Sequence, residues 1–109
     1  MLRDDASLLD IYNAGQDILS YAQDLSPEVL EADQMRLSAI LYQIVVIGEA
    51  TKRLSTEFRE QHPEIPWKSM AGMRDILAHQ YDKLDLNLLQ KTIRVSIPRM
   101  LEEIARLLP

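Results

Sequence analysis

The sequence has no cysteine, and this absence excludes several kinds of site together. Disulfides, zinc sites with thiolate ligands and thiol nucleophiles all require cysteine. The chain also lacks a glycine-rich phosphate loop, an H-E-x-x-H pair, an EF-hand loop and a G-x-S-x-G elbow. Its two histidines, His62 and His79, have no cluster of metal ligands beside them. The sequence therefore predicts neither a metal centre nor a resident cofactor.

Glycine and proline are also scarce, with three and five residues in 109. Because 47% of the residues are apolar and 27% are charged, we expect one globular domain spanning residues 1–109. Neither a leader peptide nor a membrane-spanning run is recognisable, which predicts a cytoplasmic protein with no membrane partner. The net charge of −5 argues against general nucleic-acid binding by bulk electrostatics. It leaves open a local basic cleft, and also a basic partner held by the acidic residues.

Apolar residues recur at helical spacing along most of the chain. The first predicted helix spans Asp4 to Leu25, with Ser7 or an aspartate as its N-cap. Ser26 and Pro27 open a short second helix, which Ala32-Asp33 interrupts.

The longest predicted helix runs from Asp33 to Leu54, although its Ile- and Val-rich centre resembles a strand. A helix is favoured because the apolar spacing continues through the whole segment without a turn signal. Tyr42, Val45 and Val46 add a second apolar side, which is typical of a central helix or one buried by another subunit. Gly48 indicates close approach by another backbone or ring.

The second half of the chain is also predicted to be helical. Ser55 or Thr56 caps a short helix that ends near His62-Pro63, where His62 is expected to be a loop residue. Pro66 sets the start of the next helix. Asp85 caps a final apolar stripe that Pro98 should kink or split. The predicted fold is all-α, an antiparallel bundle of four or five helices.

The stretch from Trp67 to Asp82 carries the residues with the most chemistry. Arg74 lies in the middle of its apolar stripe, where a permanent charge is costly unless a carboxylate or a phosphate meets it. Glu49, in the most apolar part of the chain, is the candidate carboxylate. It can equally face water from the narrow polar side of its helix.

His79 and Tyr81 follow Arg74 on the same stretch. Tyr81 lies almost directly above Arg74 on a regular helix, whereas His79 is rotated from it by roughly 140°. Either the helix ends near His79 and turns the ring back, or a second chain completes the site.

An arginine and a histidine suit RNA cleavage without a metal. The histidine can exchange a proton with the ribose 2′-hydroxyl or the leaving 5′-oxygen, and the arginine can stabilise charge on the phosphate. One histidine cannot readily be base and acid in one step, so a dimer with two copies at its interface would supply both. On residues alone, a purely structural Arg74–Glu49 pair with His79 at a helix end remains the alternative.

Two segments resemble signatures of one family. The segment M-A-G-M-R-D-I-L-A-H-Q-Y-D, from Met70, and I-G-E-A, from Ile47, resemble those of the HepT-like toxins of the HEPN superfamily. The order of helices fits as well, and the resemblance covers nearly the whole chain. It implies an all-α HEPN-like bundle that forms a homodimer with its R-x-x-x-x-H motifs facing each other.

The resemblance also implies a function. It is that of a metal-independent endoribonuclease toxin in a type VII-like toxin–antitoxin system, with RNA as substrate. The antitoxin would be a minimal nucleotidyltransferase that binds the toxin in a larger complex and transfers AMP to the motif tyrosine. By this resemblance Arg74 and His79 are catalytic, Asp75 and Glu49 support them, and Tyr81 is modified. The alternative is a non-catalytic HEPN partner that helps a nucleotidyltransferase bind nucleotide or substrate.

Overall fold

The computed structural model of the chain describes residues 3–79 and 85–109, with side chains through residue 74 and again from residue 85. Within these ranges every regular element is helical, which confirms the all-α prediction. The helices are α1 (Arg3–Tyr21), α2 (Pro27–Ala32), α3 (Gln34–Arg53), α4 (Thr56–Gln61), α5 (Trp67–His79), α6 (Leu86–Lys91) and α7 (Ile97–Ala105), and a π-helical turn over Thr92–Ser96 joins α6 to α7.

Side-chain caps fix the ends of several helices where the sequence predicted them. Ser26, Ser55 and Asp85 each accept a hydrogen bond from a backbone N–H in the first turn of the helix that follows. Asp33 both ends α2 and caps α3 by accepting from the Arg36 N–H. The interruption at Ala32-Asp33 and the long helical reading of α3 are therefore confirmed.

The first helix differs from its prediction at both ends. Ser7 was a candidate N-cap, but it lies inside α1 and is buried, so that assignment is wrong. The helix ends at Tyr21, four residues before Leu25, and Asp24 adopts a positive φ of 60° in the link to α2. Aspartate tolerates this left-handed conformation better than most residues.

Contacts at both ends show that α1 and α3 are antiparallel. Arg36 at the start of α3 donates to the carbonyls of Tyr21 and Gln23 at the end of α1, both at 3.1 Å. At the opposite end, the Ser55 hydroxyl after α3 donates to Asp4 in the first turn of α1 at 2.8 Å. This pair forms the centre of the bundle, with α7 against α1 and α5 against α3.

The final stripe is divided before Pro98 rather than simply bent there. Proline has no backbone N–H and its ring crowds the carbonyl four residues earlier, which here belongs to Arg94. A π-helical turn over Thr92–Ser96 interrupts the regular α-helical hydrogen bonding before Pro98, and α7 begins after it at Ile97. The predicted split at Pro98 is confirmed.

One hydrophobic core runs through the bundle. Its members are buried apolar side chains from the helices and from the loop before α5, among them Leu8, Ile11, Ile18, Leu30, Ile40, Ile47, Met70, Ile97 and Ile104. No helix in the described parts of the chain is both long and apolar enough to cross a membrane.

Candidate active site

The candidate site lies where α3 crosses α5, and Gly48 brings the two helices together. A Cβ atom on Gly48 would lie 3.2 Å from the Arg74 Cβ and 3.3 Å from the Ala71 carbonyl oxygen. Both distances are tighter than ordinary van der Waals contact, so a glycine fits this position well. The close approach predicted for Gly48 is confirmed, and it places Arg74 directly against α3.

The Arg74 guanidinium donates a hydrogen bond from Nη1 to Oε1 of Glu49, the residue after Gly48. This contact confirms the pairing that the sequence suggested. The two side chains are 42% and 43% exposed, so the pair lies at the surface end of the helix crossing. A solvent-accessible guanidinium of this kind can meet a phosphate while the carboxylate maintains its orientation.

The pKa of the Glu49 carboxyl is lowered from its ordinary value of 4.5. The main cause is the hydrogen bond from Arg74. Desolvation opposes it and is the next largest effect, and the positive charges of Arg74, Lys52 and Arg53 each lower the pKa further. Glu49 is therefore ionised at neutral pH.

Lys52 and Arg53 were not singled out from the sequence. They follow Glu49 by three and four positions, so both lie near it on the surface of α3. Arg53 also pairs with Asp10 of α1 at 3.1 Å, whereas Lys52 is exposed in the last turn of the helix. With Arg74 they make this corner of an acidic protein locally basic, and the helical spacing from Glu49 was the signal that could have identified them.

The first turn of α5 is anchored by its tryptophan. Trp67 is 7% exposed, and its Nε1 donates to the His62 carbonyl oxygen at 2.9 Å. Phe58 packs beside both residues, with ring centroids 4.7 Å from His62 and 6.1 Å from Trp67. His62 is the C-cap of α4, which confirms the prediction of a loop residue. These contacts fix the helix that carries Arg74.

The other predicted site residues lie beyond the part of the site that can be described in atomic detail. The backbone of α5 carries Asp75 and His79 on the same helix as Arg74, but their side chains are outside the described atoms, and Tyr81 is outside the described residues. Their positions relative to Arg74 remain predictions. Among the described residues, no group of three or more His, Cys, Asp or Glu could hold a metal ion.

Met35, Ala39, Tyr42 and Val45 form an apolar stripe on α3. The stripe ends close to Glu49, on the same side of the helix. Met35 is 86% exposed and Tyr42 is 65% exposed, which is unusual for side chains of this size. Ala39 and Val45 are half-buried, and neither belongs to the core cluster or to the side chains packed on it. Met35, Tyr42 and Glu49 are spaced by seven residues, so the stripe and the carboxylate share one side of the helix.

The fold and the site together define an all-α bundle with an arginine–carboxylate pair at a helix crossing. Residues 11–107 match the model of the HepT-like family, described as ribonuclease HepT-like. The chain therefore belongs to the HepT-like ribonuclease family. No solved structure matches it significantly.

Relatives of similar length support this assignment. The chain is 32% identical over 99 residues to a candidate RNase of Methanocaldococcus jannaschii, covering 91% of each protein. It is 37% identical over 93 residues to the "Probable ribonuclease HepT" of Thermococcus cleftensis, covering 85% of this chain and 84% of that protein. A candidate RNase of Caldanaerobacter subterraneus is 34% identical over 91 residues, covering 84% of this chain and 81% of that protein.

Proposed function

We propose that this chain is a metal-independent endoribonuclease and the toxin of a type VII-like toxin–antitoxin system. The observation that carries the proposal is the half-exposed Arg74 side chain, paired with Glu49 and close along the chain to Lys52 and Arg53 of α3, in a chain of the HepT-like ribonuclease family. A purely structural ion pair has no need of that accessibility or of the neighbouring cations. The histidine of the R-x-x-x-x-H-x-Y motif supplies the proton-transfer group.

The proposed reaction uses His79 and Arg74 in separate roles. His79 removes the proton of a ribose 2′-hydroxyl, and the 2′-oxygen attacks the adjacent phosphorus. Arg74 stabilises the negative charge that builds on the phosphate oxygens. The bond from phosphorus to the 5′-oxygen breaks, a second histidine protonates that oxygen, and the products carry a 2′,3′-cyclic phosphate and a 5′-hydroxyl. Hydrolysis of the cyclic product would leave a 3′-phosphate. Asp75 is proposed to support this site.

The second histidine is proposed to come from another copy of the chain. The stripe of Met35, Ala39, Tyr42 and Val45 supports this proposal, because it is an apolar surface of α3 outside the core and it leads to Glu49. A homodimer through this stripe would bury the exposed Met35 and Tyr42 side chains and bring the two Arg74 residues towards each other.

Regulation is proposed to act through Tyr81. A minimal nucleotidyltransferase antitoxin would bind the toxin and transfer AMP from ATP, the phenol oxygen attacking the α-phosphorus while pyrophosphate leaves. The added group is bulky and negatively charged, and on a regular helix Tyr81 lies above Arg74. It would therefore compete with the substrate phosphate for the guanidinium.

The experiment that tests the enzyme is RNA cleavage in EDTA by purified protein made without antitoxin. Intact mass should first show that Tyr81 is unmodified, and His79→Ala serves as the matched variant. We expect cleavage that survives chelation, leaves cyclic or 3′-phosphate ends, and is lost in His79→Ala. Equal cleavage by both proteins would identify a contaminating nuclease.

The second candidate function is a non-catalytic partner of a nucleotidyltransferase. The net charge of −5 favours it, because a general RNA-binding surface is usually basic. Absence of cleavage by the unmodified protein, together with tighter nucleotide binding by the transferase in its presence, would establish this function instead.

A further inference from the structure

A groove between α4 and the start of α5 lies next to the candidate active site. It has a volume of about 540 Å³ and is lined by Thr56, Arg59, Glu60, Pro63, Trp67, Lys68 and Ala71. The proposed chemistry at Arg74 does not use any of these side chains.

Ala71 connects the groove to the catalytic arginine. It lines the groove, and its carbonyl oxygen is one of the atoms that a Cβ on Gly48 would meet, at 3.3 Å. Arg74 lies three residues after Ala71, one turn further along the same helix. Lys68 precedes Arg74 by six residues, which is about 9 Å along the helix axis and roughly 120° around it. A strand whose phosphate lies at Arg74 would therefore have to follow the surface of α5 past Ala71 to reach the groove.

The groove offers two cations from two different helices. Lys68 is exposed at the start of α5, and Arg59 extends from the last turn of α4. Arg59 Nε is buried and has no hydrogen-bond partner among the described residues, so one guanidinium donor is unused there. A buried donor without an acceptor is unfavourable, and the half-buried Arg59 side chain would have to turn towards the groove to offer this nitrogen to a ligand oxygen. Among the described lining residues Glu60 is the one acidic side chain, against the two cations Arg59 and Lys68.

We propose that this groove binds the phosphate backbone of the RNA strand beside the cleaved nucleotide, through Arg59 and Lys68. The inference rests on the proposed ribonuclease function and adds a binding subsite to it. Binding is expected to be independent of sequence, because phosphate contacts position a strand without reading its bases. A local subsite of this kind also explains how a chain with net charge −5 can hold RNA.

The test compares Lys68→Gln, Arg59→Gln and the double variant with wild type on a longer single-stranded oligonucleotide. We expect KM to rise about tenfold in the double variant with kcat nearly unchanged, since two charge-assisted contacts made equally in ground and transition states are lost. On a dinucleotide, which has one phosphate and cannot reach the groove, the loss should be far smaller. Arg99→Gln removes an exposed cation on α7 and is the matched control.

Two further readouts separate a binding role from a structural one. The affinity of the double variant for a non-cleavable 2′-O-methyl strand should depend less on salt than that of wild type. The slope of the logarithm of the binding constant against the logarithm of the salt concentration should fall in magnitude by roughly 1.4, because two single-strand phosphate contacts are lost. Glu60→Gln should act in the opposite direction and lower KM, because it removes an anion from the groove. If these side chains only supported the fold, Glu60→Gln would not be expected to lower KM.

The outcomes distinguish this inference from the proposed function. If Arg74→Ala abolishes cleavage while the groove variants keep wild-type KM and salt slope on the longer strand, the subsite is wrong and the ribonuclease stands. If the groove variants lose the same fraction of cleavage activity on the dinucleotide and on the longer strand, Arg59 and Lys68 support the fold, and the proposed subsite is also wrong. If wild type neither cleaves nor binds RNA, both proposals fail.

Discussion

Arg74 shows why a charged residue is placed within an otherwise apolar stripe. Its guanidinium cannot be neutralised, so burial would be costly, and the structure leaves it half-exposed and paired with Glu49. Pairs with this exposure contribute little to stability. This exposure supports the proposal that Arg74 binds a substrate phosphate at the helix crossing.

Replacement of Arg74 should reduce activity much more than stability. We expect Arg74→Ala to lower kcat by about 10²–10³-fold, the usual effect of removing one group that stabilises transition-state charge. Arg74→Lys should recover only part of this loss, because an ammonium lacks the planar pair of donors that matches a phosphate. Single-turnover cleavage and urea unfolding of the same preparations measure the two effects. Loss of folding in parallel with activity would contradict this assignment.

Glu49 makes the stability of the protein depend on pH in a defined direction. Since the pKa of its carboxyl is lowered by Arg74 below 4.5, the pair stabilises the folded state above that pH. This contribution is lost as the pH falls through the folded-state pKa. Urea unfolding should thus show Glu49→Gln slightly less stable than wild type at pH 7, and the small difference should close as the pH falls through the folded-state pKa, which lies below 4.5. Glu102→Gln, which changes an exposed carboxylate on α7, is the control.

At the scale of helices, the crossing of α3 and α5 depends on Gly48. Alanine gains up to about 1 kcal/mol over glycine in a helix, but here its Cβ would press on the α5 backbone at Ala71 and Arg74. We expect Gly48→Ala to change the free energy of unfolding by less than about 1 kcal/mol, because these effects oppose each other. Cleavage should fall by at least about tenfold, since misplacement of a catalytic group by 1 Å can cost 10²-fold.

Gly72 provides a matched control in α5. A Cβ atom there would meet no atom of the described residues within 4 Å, so Gly72→Ala should stabilise the protein by roughly 0.5–1 kcal/mol and leave cleavage intact. Thermal unfolding and kcat/KM of the two alanine variants compare them directly. Equal activity of both would show that the close approach at Gly48 does not position Arg74.

The Ser55 hydroxyl makes two hydrogen bonds at the start of α4. Ser55 Oγ accepts from the Phe58 N–H at 3.1 Å and donates to Asp4 of α1 at 2.8 Å. We therefore expect Ser55→Ala to lower the free energy of unfolding by about 1 kcal/mol, the typical effect of losing an N-cap. Ser96 precedes α7 without a side-chain capping bond, so Ser96→Ala should be nearly neutral in the same denaturation experiment.

Elements and their caps were predictable where local chemistry decides them. Ser26, Ser55 and Asp85 cap helices because short polar side chains satisfy first-turn N–H groups, and this depends on a few neighbouring residues. Ser7 was misassigned because several polar residues near the start of α1 could each serve as a cap. The π-helical turn before Pro98 was not predicted, since proline indicates a disruption but not the form it takes.

The candidate site was predictable only in part, for a physical reason. Arg74 in an apolar stripe required a partner, and Glu49 was the carboxylate in the most apolar segment, so their pairing could be inferred. The groove lined by Arg59 and Lys68 could not be inferred from the sequence, because it forms between two helices whose packing depends on Trp67 and the loop at His62. Side chains that meet only through tertiary packing leave no periodic signal in the sequence.

At the scale of the whole molecule, the stripe of Met35, Ala39, Tyr42 and Val45 is only partly covered by the described part of the chain, with Met35 and Tyr42 the most exposed members. Exposing Met35 and Tyr42 to water forgoes the favourable burial of large apolar side chains. The stripe is on the same side of α3 as Glu49, so a second copy that covers it also approaches the candidate site. The proposed dimer therefore links assembly to catalysis.

A charge placed on this stripe should separate the dimer and abolish cleavage together. We expect Tyr42→Glu and Val45→Glu to sediment as monomers at micromolar concentration, because a carboxylate at the centre of an apolar interface would be buried without a partner. Val95→Glu is the control, because it alters a side chain that is 48% exposed in the π-helical turn, outside α3. It should leave the oligomeric state in sedimentation and the cleavage activity unchanged. Fully active monomers of Tyr42→Glu would show that one chain contains the whole site.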